Sequence, residues 1–236
     1  MENAVFISGA GQRVGFFLAK QLLELTEYPV VFSYRTRHAE VDELIALGAL
    51  GIQCDFSEDK ALPGLVSQVS HSVKSLRAII HNASIWLDDK QAPALSESYQ
   101  NLFKVHVDTP MYLNEALLPL LKRGAGLKDI ISISDASVAL ANDKTLAYLA
   151  SKAALQNLSK NFAKKYAPEI KVNDIAPGLI IFNEGDSVEY KQRRLSQSAL
   201  AIEPGEDVVW QAVNYLMNSP YTTGISLPLE GGRAIK

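Results

Sequence analysis

The sequence has little from which covalent or metal cross-links could be built. Its 236 residues include one cysteine, Cys54, so no disulfide can form within the chain. The four histidines, His38, His71, His81 and His106, share no metal-ligand spacing, and we therefore expect no metal site. A single cysteine suits a reducing compartment, so we expect a cytoplasmic protein.

Long apolar runs and a strong charge of one sign are also missing. No apolar run approaches the length of a membrane span. The chain enters a strand-like run at residues 4–7 without the basic region and apolar segment of a secretion signal. The net charge of -3 gives no reason to expect nucleic acid or an anionic membrane as a partner. Because 47% of the residues are apolar, we expect a globular protein with a sizeable core.

A regular alternation of short apolar runs and helical patterns is what the chain does contain. Strand-like runs cover residues 4–8, 29–34, 51–54, 76–80, 130–133, 170–175 and 225–229. Helical patterns cover residues 14–25, 41–47, 96–121, 145–166 and 206–217, with an interruption expected near Pro110. This order predicts an α/β fold, in which residues 1–236 form a single domain with one doubly wound, Rossmann-like parallel sheet flanked by helices. Residues 179–204 have a looser pattern and are predicted to form a loop that closes over a substrate.

A glycine-rich turn joins the first strand to the first helix. It contains Gly9, Gly11 and Gly15, and strand, turn and helix together are the context that a dinucleotide-binding fingerprint requires. Glycines let the backbone approach a pyrophosphate, which the free N–H groups of the helix can bind. Many glycine-rich turns are plain turns, but the flanking elements here favour a nucleotide site.

Arg35 stands where an NAD-binding site would have an acidic residue. Such a site uses an Asp or Glu after the second strand to accept from the ribose hydroxyls. Here the strand is followed by Arg35, with Arg37 close behind it. An arginine can bind a 2′-phosphate through charge-assisted hydrogen bonds. The alternative is a surface-loop arginine, but the missing acid favours NADPH over NADH.

The segment from residue 129 to residue 155 carries the candidate chemistry. Tyr148 and Lys152 lie four residues apart on a predicted helix, so they share one face, and a nearby ammonium favours the ionised phenol. Tyr148 can therefore act as a general acid. Asp135 follows the preceding strand, where parallel sheets place their ligands. Taken alone, the pair reads more simply as a core-edge tyrosine and a solvated lysine, so the rest of the chain must decide.

Two further strand ends carry candidate ligand contacts. Asp55 could accept from an adenine amino group, or it could cap the next helix, as could Ser57. After the fourth strand, the small residues Ala83 and Ser84 permit close approach of a flat ligand. Trp86 could stack on an aromatic ring, and a core or interface role for it is an equal alternative.

The combined motifs resemble the short-chain dehydrogenase/reductase family. They are Ser8-Gly9 through Gly15, His81-Asn82-Ala83-Ser84, Tyr148-x-x-x-Lys152 and Pro177-Gly178, in the family's order and over essentially the whole chain. The resemblance implies that Tyr148 is the catalytic acid and that Lys152 lowers its pKa and binds the nicotinamide ribose. It also places the asparagine–alanine and proline–glycine pairs along the cofactor, and it implies a homotetramer.

Three departures from the family pattern are informative. Arg13 replaces the usual glycine of the first turn, Asp135 the usual serine before the tyrosine, and His106 the usual asparagine of the central helix. The first two are features of the pteridine reductase branch, which implies NADPH-dependent reduction of a 7,8-dihydropterin to its tetrahydro form. A hydrogen-bonded Asp135–Tyr148 pair could relay the proton that a carbon–nitrogen double bond requires. His106 leaves open whether the family's usual relay water is present.

The sequence thus predicts three overlapping groups of site residues. The catalytic group is Tyr148, Lys152 and Asp135. The cofactor group is Gly9, Arg13, Val14, Gly15, Arg35, Thr36, Asp55, Phe56, Asn82, Ala83, Ser84, Tyr148, Lys152, Pro177 and Gly178. The substrate group is Arg13, Ser84, Trp86, Asp135 and Tyr148.

Two other functions stay open. The first is an NADPH-dependent carbonyl reductase of oxoacyl or other keto substrates, against which Asp135 counts. The second is a noncatalytic NADPH-binding sensor that uses the fold to dock a partner, against which the intact Tyr148–Lys152 pair counts.

Overall fold

In the computed structural model, which describes residues 1–58 and 60–236, seven strands form one parallel sheet. The strands are β1 (Ala4–Ser8), β2 (Val30–Tyr34), β3 (Leu50–Gln53), β4 (Leu76–His81), β5 (Asp129–Ile133), β6 (Lys171–Pro177) and β7 (Ser226–Leu229). Their order across the sheet is β3-β2-β1-β4-β5-β6-β7, with all neighbours parallel. The doubly wound sheet predicted from the sequence is confirmed, and its order reverses between β1 and β4, where such folds bind ligands.

Helices connect these strands on both faces of the sheet. They are α1 (Arg13–Leu25), α2 (Ala39–Ala46), α3 (Ala61–Ser72), α4 (Glu97–Phe103), α5 (Thr109–Ala116), α6 (Leu118–Lys122), α7 (Leu146–Tyr166), α8 (Val188–Leu195) and α9 (Asp207–Asn218). A π-helical turn at Lys104–Asp108 separates α4 from α5, and Pro110 lies in the first turn of α5. The interruption predicted near Pro110 is therefore confirmed. No helix in the described chain is both long and apolar enough to cross a membrane.

Two apolar layers cover the two faces of the sheet. Ile7 packs with Leu18 and the inner side of α9 in one layer, whereas Phe6 packs with Phe162 of α7 in the other. Adjacent strand residues serve opposite layers because successive side chains of a strand point to opposite faces. Burial on both faces also explains why the strands are near-continuous apolar runs in the sequence.

One expectation about local structure, and one alternative, are wrong. Residues 179–204 do not form a loop throughout, because they contain α8, whose start is capped by the Ser187 side chain accepting from the Tyr190 N–H over 3.2 Å. Its sequence, VEYKQRRL, is too polar to show an apolar stripe. Nor does Asp55 or Ser57 cap the next helix: α3 begins at Ala61, and Asp55 accepts from the backbone and hydroxyl of Ser57 instead.

A buried charge cluster joins three strands at the edge opposite their carboxyl ends. Asp129, at the start of β5, pairs with Arg77 of β4 over 2.5 Å and with Lys171 of β6 over 2.9 Å. Arg77 also donates to the carbonyl of Met217 on α9. Because buried charges require partners, this cluster specifies how the three strands begin side by side.

His81 links the sheet to α5 and should make the fold sensitive to acid. It is buried at the end of β4, and its Nε2–H donates to Asn114 Oδ1 over 2.7 Å. Burial lowers the pKa of His81 from 6.5 to about 4, so the unfolded chain takes up this proton more readily than the folded one. We predict that His81 lowers the free energy of unfolding by about 2 kcal/mol between pH 7 and pH 5.

Urea unfolding at pH 7 and pH 5 measures this difference. The His81→Gln variant should lose that part of the pH dependence, whereas His71→Gln, which removes an exposed histidine, should retain it. The same pH dependence in His81→Gln and in the unchanged protein would show that His81 is not the acid-sensitive group.

Candidate active site

A cleft of about 300 Å³ opens at the carboxyl ends of β1, β2, β3 and β4. The cofactor residues predicted from the sequence that line it are Gly9, Arg13, Val14, Gly15, Arg35, Thr36, Asp55, Phe56, Asn82, Ala83 and Ser84. They come from four loops that are far apart in the chain. The sheet order brings these loops together, so these residues form one continuous surface, whereas Tyr148, Lys152, Pro177 and Gly178 of the predicted cofactor group do not line it.

Two glycines keep the floor of the cleft open. A Cβ on Gly9 would lie 2.6 Å from Ala83 Cα, and one on Gly15 would lie 2.3 Å from the Gly9 oxygen. Asn82 Nδ2 donates to the same Gly9 oxygen over 2.7 Å, which fastens the turn to the loop after β4. The side chain of Gln12, the residue before α1, makes no capping hydrogen bond to that helix. The first N–H groups of α1 therefore remain available to a phosphate. The cradle therefore fits a dinucleotide.

Arg13 occupies a backbone conformation that favours glycine. Its φ is +53°, which explains why the family usually has glycine at this position. The guanidinium donates to Asn183 Oδ1 and, over 3.3 Å, to the carbonyl oxygen of Ile181. These bonds connect the first turn to the segment of residues 179–204, at the edge of the cleft.

Arg35 and Arg37 have different partners. Arg37 Nε donates to Asp42 Oδ1 over 2.9 Å, whereas Arg35 lines the cleft. Asp55 lines the cleft as well, although one of its oxygens accepts from the N–H and hydroxyl of Ser57 over 2.9 and 2.8 Å. Arg35 is thus the residue of the arginine pair that can reach a cofactor phosphate.

Tyr148 and Asp135 form the hydrogen-bonded pair that the sequence predicts. Tyr148 lies in the first turn of α7, and its hydroxyl donates to Asp135 Oδ2 over 3.0 Å. Asp135 Oδ1 accepts from the Ser137 N–H over 2.7 Å. The backbone therefore holds one carboxylate oxygen and the tyrosine holds the other.

Lys152 lies one helical turn further along α7. It is 2% exposed, and its Nζ donates to the Ile133 oxygen over 3.0 Å. Burial lowers the pKa of Lys152 to about 8, against the opposing effect of Asp135 and a second carboxylate. The expected lowering of the Tyr148 pKa is wrong: burial, and then the Asp135 carboxylate, raise it well above its usual value. The phenol therefore keeps its proton at neutral pH, which an acid catalyst requires.

The π-helical turn places His106 beside Tyr148, with ring centroids 5.7 Å apart and edge to face. His106 Nε2 accepts from the Ile85 N–H over 3.2 Å and lies 2.9 Å from Ser84 Oγ. Its Nδ1 lies 2.7 Å from Ser151 Oγ. Burial, reinforced by the nearby lysine, lowers the pKa of His106 to about 2, so the ring is neutral. It joins the loop after β4 directly to α7.

Trp86, Pro177 and Gly178 lie outside the cleft lining. Trp86 follows β4 and is 62% exposed. Pro177 ends β6, and the Gly178 N–H donates to the Leu229 oxygen over 2.8 Å. Since β5 and β6 are neighbours, their carboxyl ends place this pair at the same edge as Asp135. The contacts predicted for these residues with nicotinamide and pterin remain predictions.

Several cleft residues are absent from the sequence prediction. They are Gly11, Gln12, Ser33, Tyr34, His38, Cys54, Ile85 and Val105. Most adjoin predicted residues in the same loops, so their position in the sequence was a usable signal. Val105 comes from the π-helical turn, and no motif marks it. The buried polar residues Ser134, just after β5, and Asp174 of β6 are also missed.

A family model described as enoyl-(acyl carrier protein) reductase matches residues 9–233. The chain belongs to the short-chain dehydrogenase/reductase family. Dihydromonapterin reductase from Escherichia coli O6:K15:H31 (strain 536) is 44% identical over 233 residues, which are 98% of this chain and 97% of that protein.

Solved structures of the family have the same fold. FolM alternative dihydrofolate reductase 1 from Brucella canis, complexed with NADP, is 27% identical with a TM-score of 0.88 and covers 99% of this chain and 95% of its own. The counterpart from Brucella suis, also in complex with NADP, gives the same values. The resemblance predicted from the motifs is confirmed.

The glycine cradle generates a prediction for stability. Gly9 has φ +70° and is crowded by Ala83, whereas Gly126 has φ +66° with nothing described within 4 Å of a built Cβ. Gly126→Ala should cost about 1 kcal/mol of unfolding free energy from backbone strain. Gly9→Ala should cost about 2 kcal/mol more, because the loop after β4 must also shift. Urea unfolding of both variants measures this, and equal losses would show that the close approach is unimportant.

Proposed function

We propose that the protein is an NADPH-dependent dihydropteridine reductase that converts 7,8-dihydromonapterin into tetrahydromonapterin. The observation that carries this proposal is Asp135, hydrogen-bonded to Tyr148, where the family pattern has a serine. The similar Escherichia coli protein is named dihydromonapterin reductase, and the similar Brucella proteins are named alternative dihydrofolate reductases. We include reduction of dihydrofolate to tetrahydrofolate as a side activity.

The pair suits a carbon–nitrogen double bond better than a ketone. Hydride adds to the carbon, the π electrons move onto the nitrogen, and the nitrogen takes up a proton. The Tyr148 proton passes through Asp135 to that nitrogen, and the Lys152 ammonium stabilises the phenolate that remains. With a ketone the negative charge would develop on oxygen beside the Asp135 carboxylate, which would repel it.

The cleft residues fit the cofactor. NADPH, when bound, supplies the hydride. The open floor at Gly9 and the uncapped start of α1 suit its pyrophosphate. Arg35 suits the 2′-phosphate, and Asp55 the adenine amino group. Lys152 would hold the nicotinamide ribose.

The substrate contacts complete the proposal. Ser84 would bond the pterin edge and Trp86 would stack on its face, with Pro177 and Gly178 beside the nicotinamide. The segment of residues 179–204, which Arg13 connects to the first turn, would close over the substrate and select its side chain.

We also propose that the enzyme is a cytoplasmic homotetramer. Membership of the family supports the tetramer, since the motif resemblance implies that assembly. The free thiol of Cys54 is buried, which suits a reducing compartment.

NADPH oxidation followed by absorbance tests the function. Dihydromonapterin, dihydrobiopterin, dihydrofolate and an acetoacetyl thioester should be compared as substrates in parallel. We expect the fastest turnover with dihydromonapterin and slower turnover with dihydrofolate. Turnover of the thioester alone would establish a carbonyl reductase, and no turnover of any substrate would favour a noncatalytic sensor.

Two variants separate the roles within the pair. Tyr148→Phe should nearly abolish turnover, since it removes the proton donor. Asp135→Ser should lower dihydropterin turnover at least tenfold, because general acid catalysis usually contributes about 100-fold or more. Unchanged dihydropterin turnover in Asp135→Ser would remove the carboxylate from the mechanism.

Arg35 should determine the preference for NADPH. Removing its guanidinium removes the charge-assisted bonds to the 2′-phosphate, so Arg35→Ala should raise the Kd for NADPH about tenfold and leave that for NADH nearly unchanged. Arg37→Ala is the matched control, because Arg37 is paired with Asp42. Fluorescence titration with both cofactors measures the affinities. Equal losses for NADPH and NADH in Arg35→Ala would contradict the assignment.

A further inference from the structure

A second carboxylate, Asp174, lies in the buried layer beneath the catalytic helix. It is 1% exposed in the middle of β6, and in the sheet register it lies between Ser132 of β5 and Ser226 of β7. Paired residues of neighbouring strands point to the same face of a sheet. Ser132 Oγ accepts from Ser159 Oγ of α7 over 2.9 Å, so this face is the one that α7 covers.

The hydrogen bonds of Asp174 leave one of its oxygens without a donor. Oδ2 accepts from the hydroxyls of Ser134, over 2.7 Å, and Ser226, over 2.5 Å. Oδ1 is buried and accepts no hydrogen bond from the described residues. A buried carboxylate with an unmet oxygen is costly unless a cation lies close to it.

Lys152 supplies a cation to the same layer. Its Nζ donates to the oxygen of Ile133, the residue between Ser132 and Ser134. One turn further along α7, Gln156 Nε2 donates to Ser134 Oγ over 2.9 Å. The lysine and Asp174 therefore both contact the same short stretch at the end of β5, on the face of the sheet that α7 covers.

The titratable and polar groups near Lys152 come from several elements, and only two of those described here carry a negative charge. Asp135 faces it from the end of β5, and Asp174 from β6. The neighbouring groups on α7 and the π-helical turn are the protonated Tyr148 and the neutral His106. On β7, the uncharged Ser226 contacts Asp174. Asp135 is engaged by the tyrosine and by its own loop, whereas Asp174 has an oxygen to spare.

We propose that Asp174 is a positioning residue that keeps the buried Lys152 ammonium charged and directed toward the catalytic tyrosine. This deepens the proposed function, since it rests on Lys152 serving the reaction. Asp174 acts through the lysine and does not touch substrate. The arrangement gives the enzyme two carboxylates with separate tasks, Asp135 for the proton of the substrate and Asp174 for the charge behind it.

The pH dependence of the reaction tests the proposal. The active lysine is charged, so kcat/KM should fall as the pH rises through the Lys152 pKa of about 8. Asp174→Asn removes a neighbouring negative charge, so this alkaline limb should move to lower pH by about one unit. At pH 8, kcat/KM of the variant should therefore be about fivefold lower than it would be if the alkaline limb had not moved. Burial raises the pKa of Asp174 to about 6, so the difference should shrink at more acidic pH.

Two further variants keep the result interpretable. Asp174→Ser is smaller and also uncharged, so it should show the same shift if Asp174→Asn is too unstable to assay. Ser226→Ala removes one hydrogen bond to Asp174 but keeps the charge, so its alkaline limb should stay at the pH of the unchanged protein. Folded, uncharged variants that retain the original alkaline limb would show that Asp174 is merely structural.

NADPH binding provides a readout that needs no substrate. Fluorescence titration across the same pH range should show weaker binding at alkaline pH, with the same shift in Asp174→Asn. If the unchanged protein does not turn over dihydropterins, the proposed function fails, and the titration still reports on Asp174. If dihydropterins are reduced but neither profile moves in the variant, the inference about Asp174 alone is overturned.

Discussion

Burial of a single positive charge, the Lys152 ammonium, is the constraint on which the site depends. α7 packs its inner face onto β5 and β6 and carries the lysine into a buried layer. A cation there is stable only if neighbouring groups replace its hydration. The carbonyl oxygen of Ile133 accepts a hydrogen bond from the ammonium, and the negative charges of Asp135 and Asp174, which lie on or next to the adjacent strands β5 and β6, favour its charged form. The chemistry thus follows from the order of the sheet.

The same strands carry a second set of buried charges at their other ends. Asp129 is held between Arg77 and Lys171, so β4, β5 and β6 begin in a specified register. Removing one member of such a cluster leaves an uncompensated buried charge. The fold then loses far more stability than the net contribution of the intact cluster. The buried charges therefore fix the sheet at the amino ends of these strands, while their carboxyl ends remain available for ligands.

The sequence predicts the features that depend on local pattern. The sheet, the long helix with Tyr148 and Lys152, and most of the cofactor cleft follow from apolar periodicity, glycines and motif spacing. It does not predict α8, because that helix is held by a capping serine and polar residues rather than by an apolar stripe. Nor does it predict the raised pKa of Tyr148, since the burial of the phenol and its contact with Asp135, which raise that pKa, can be judged only in three dimensions.

Arg13 joins the first turn to the segment of residues 179–204. A left-handed backbone costs a residue with a side chain about 1–2 kcal/mol, and here hydrogen bonds to Asn183 and Ile181 offset that cost. Releasing the segment would leave the strained residue without compensation. A movement of residues 179–204 away from the first turn would therefore have to break these hydrogen bonds. One residue in the place of a glycine thus links the turn that lines the cleft to a segment 170 residues further along the chain.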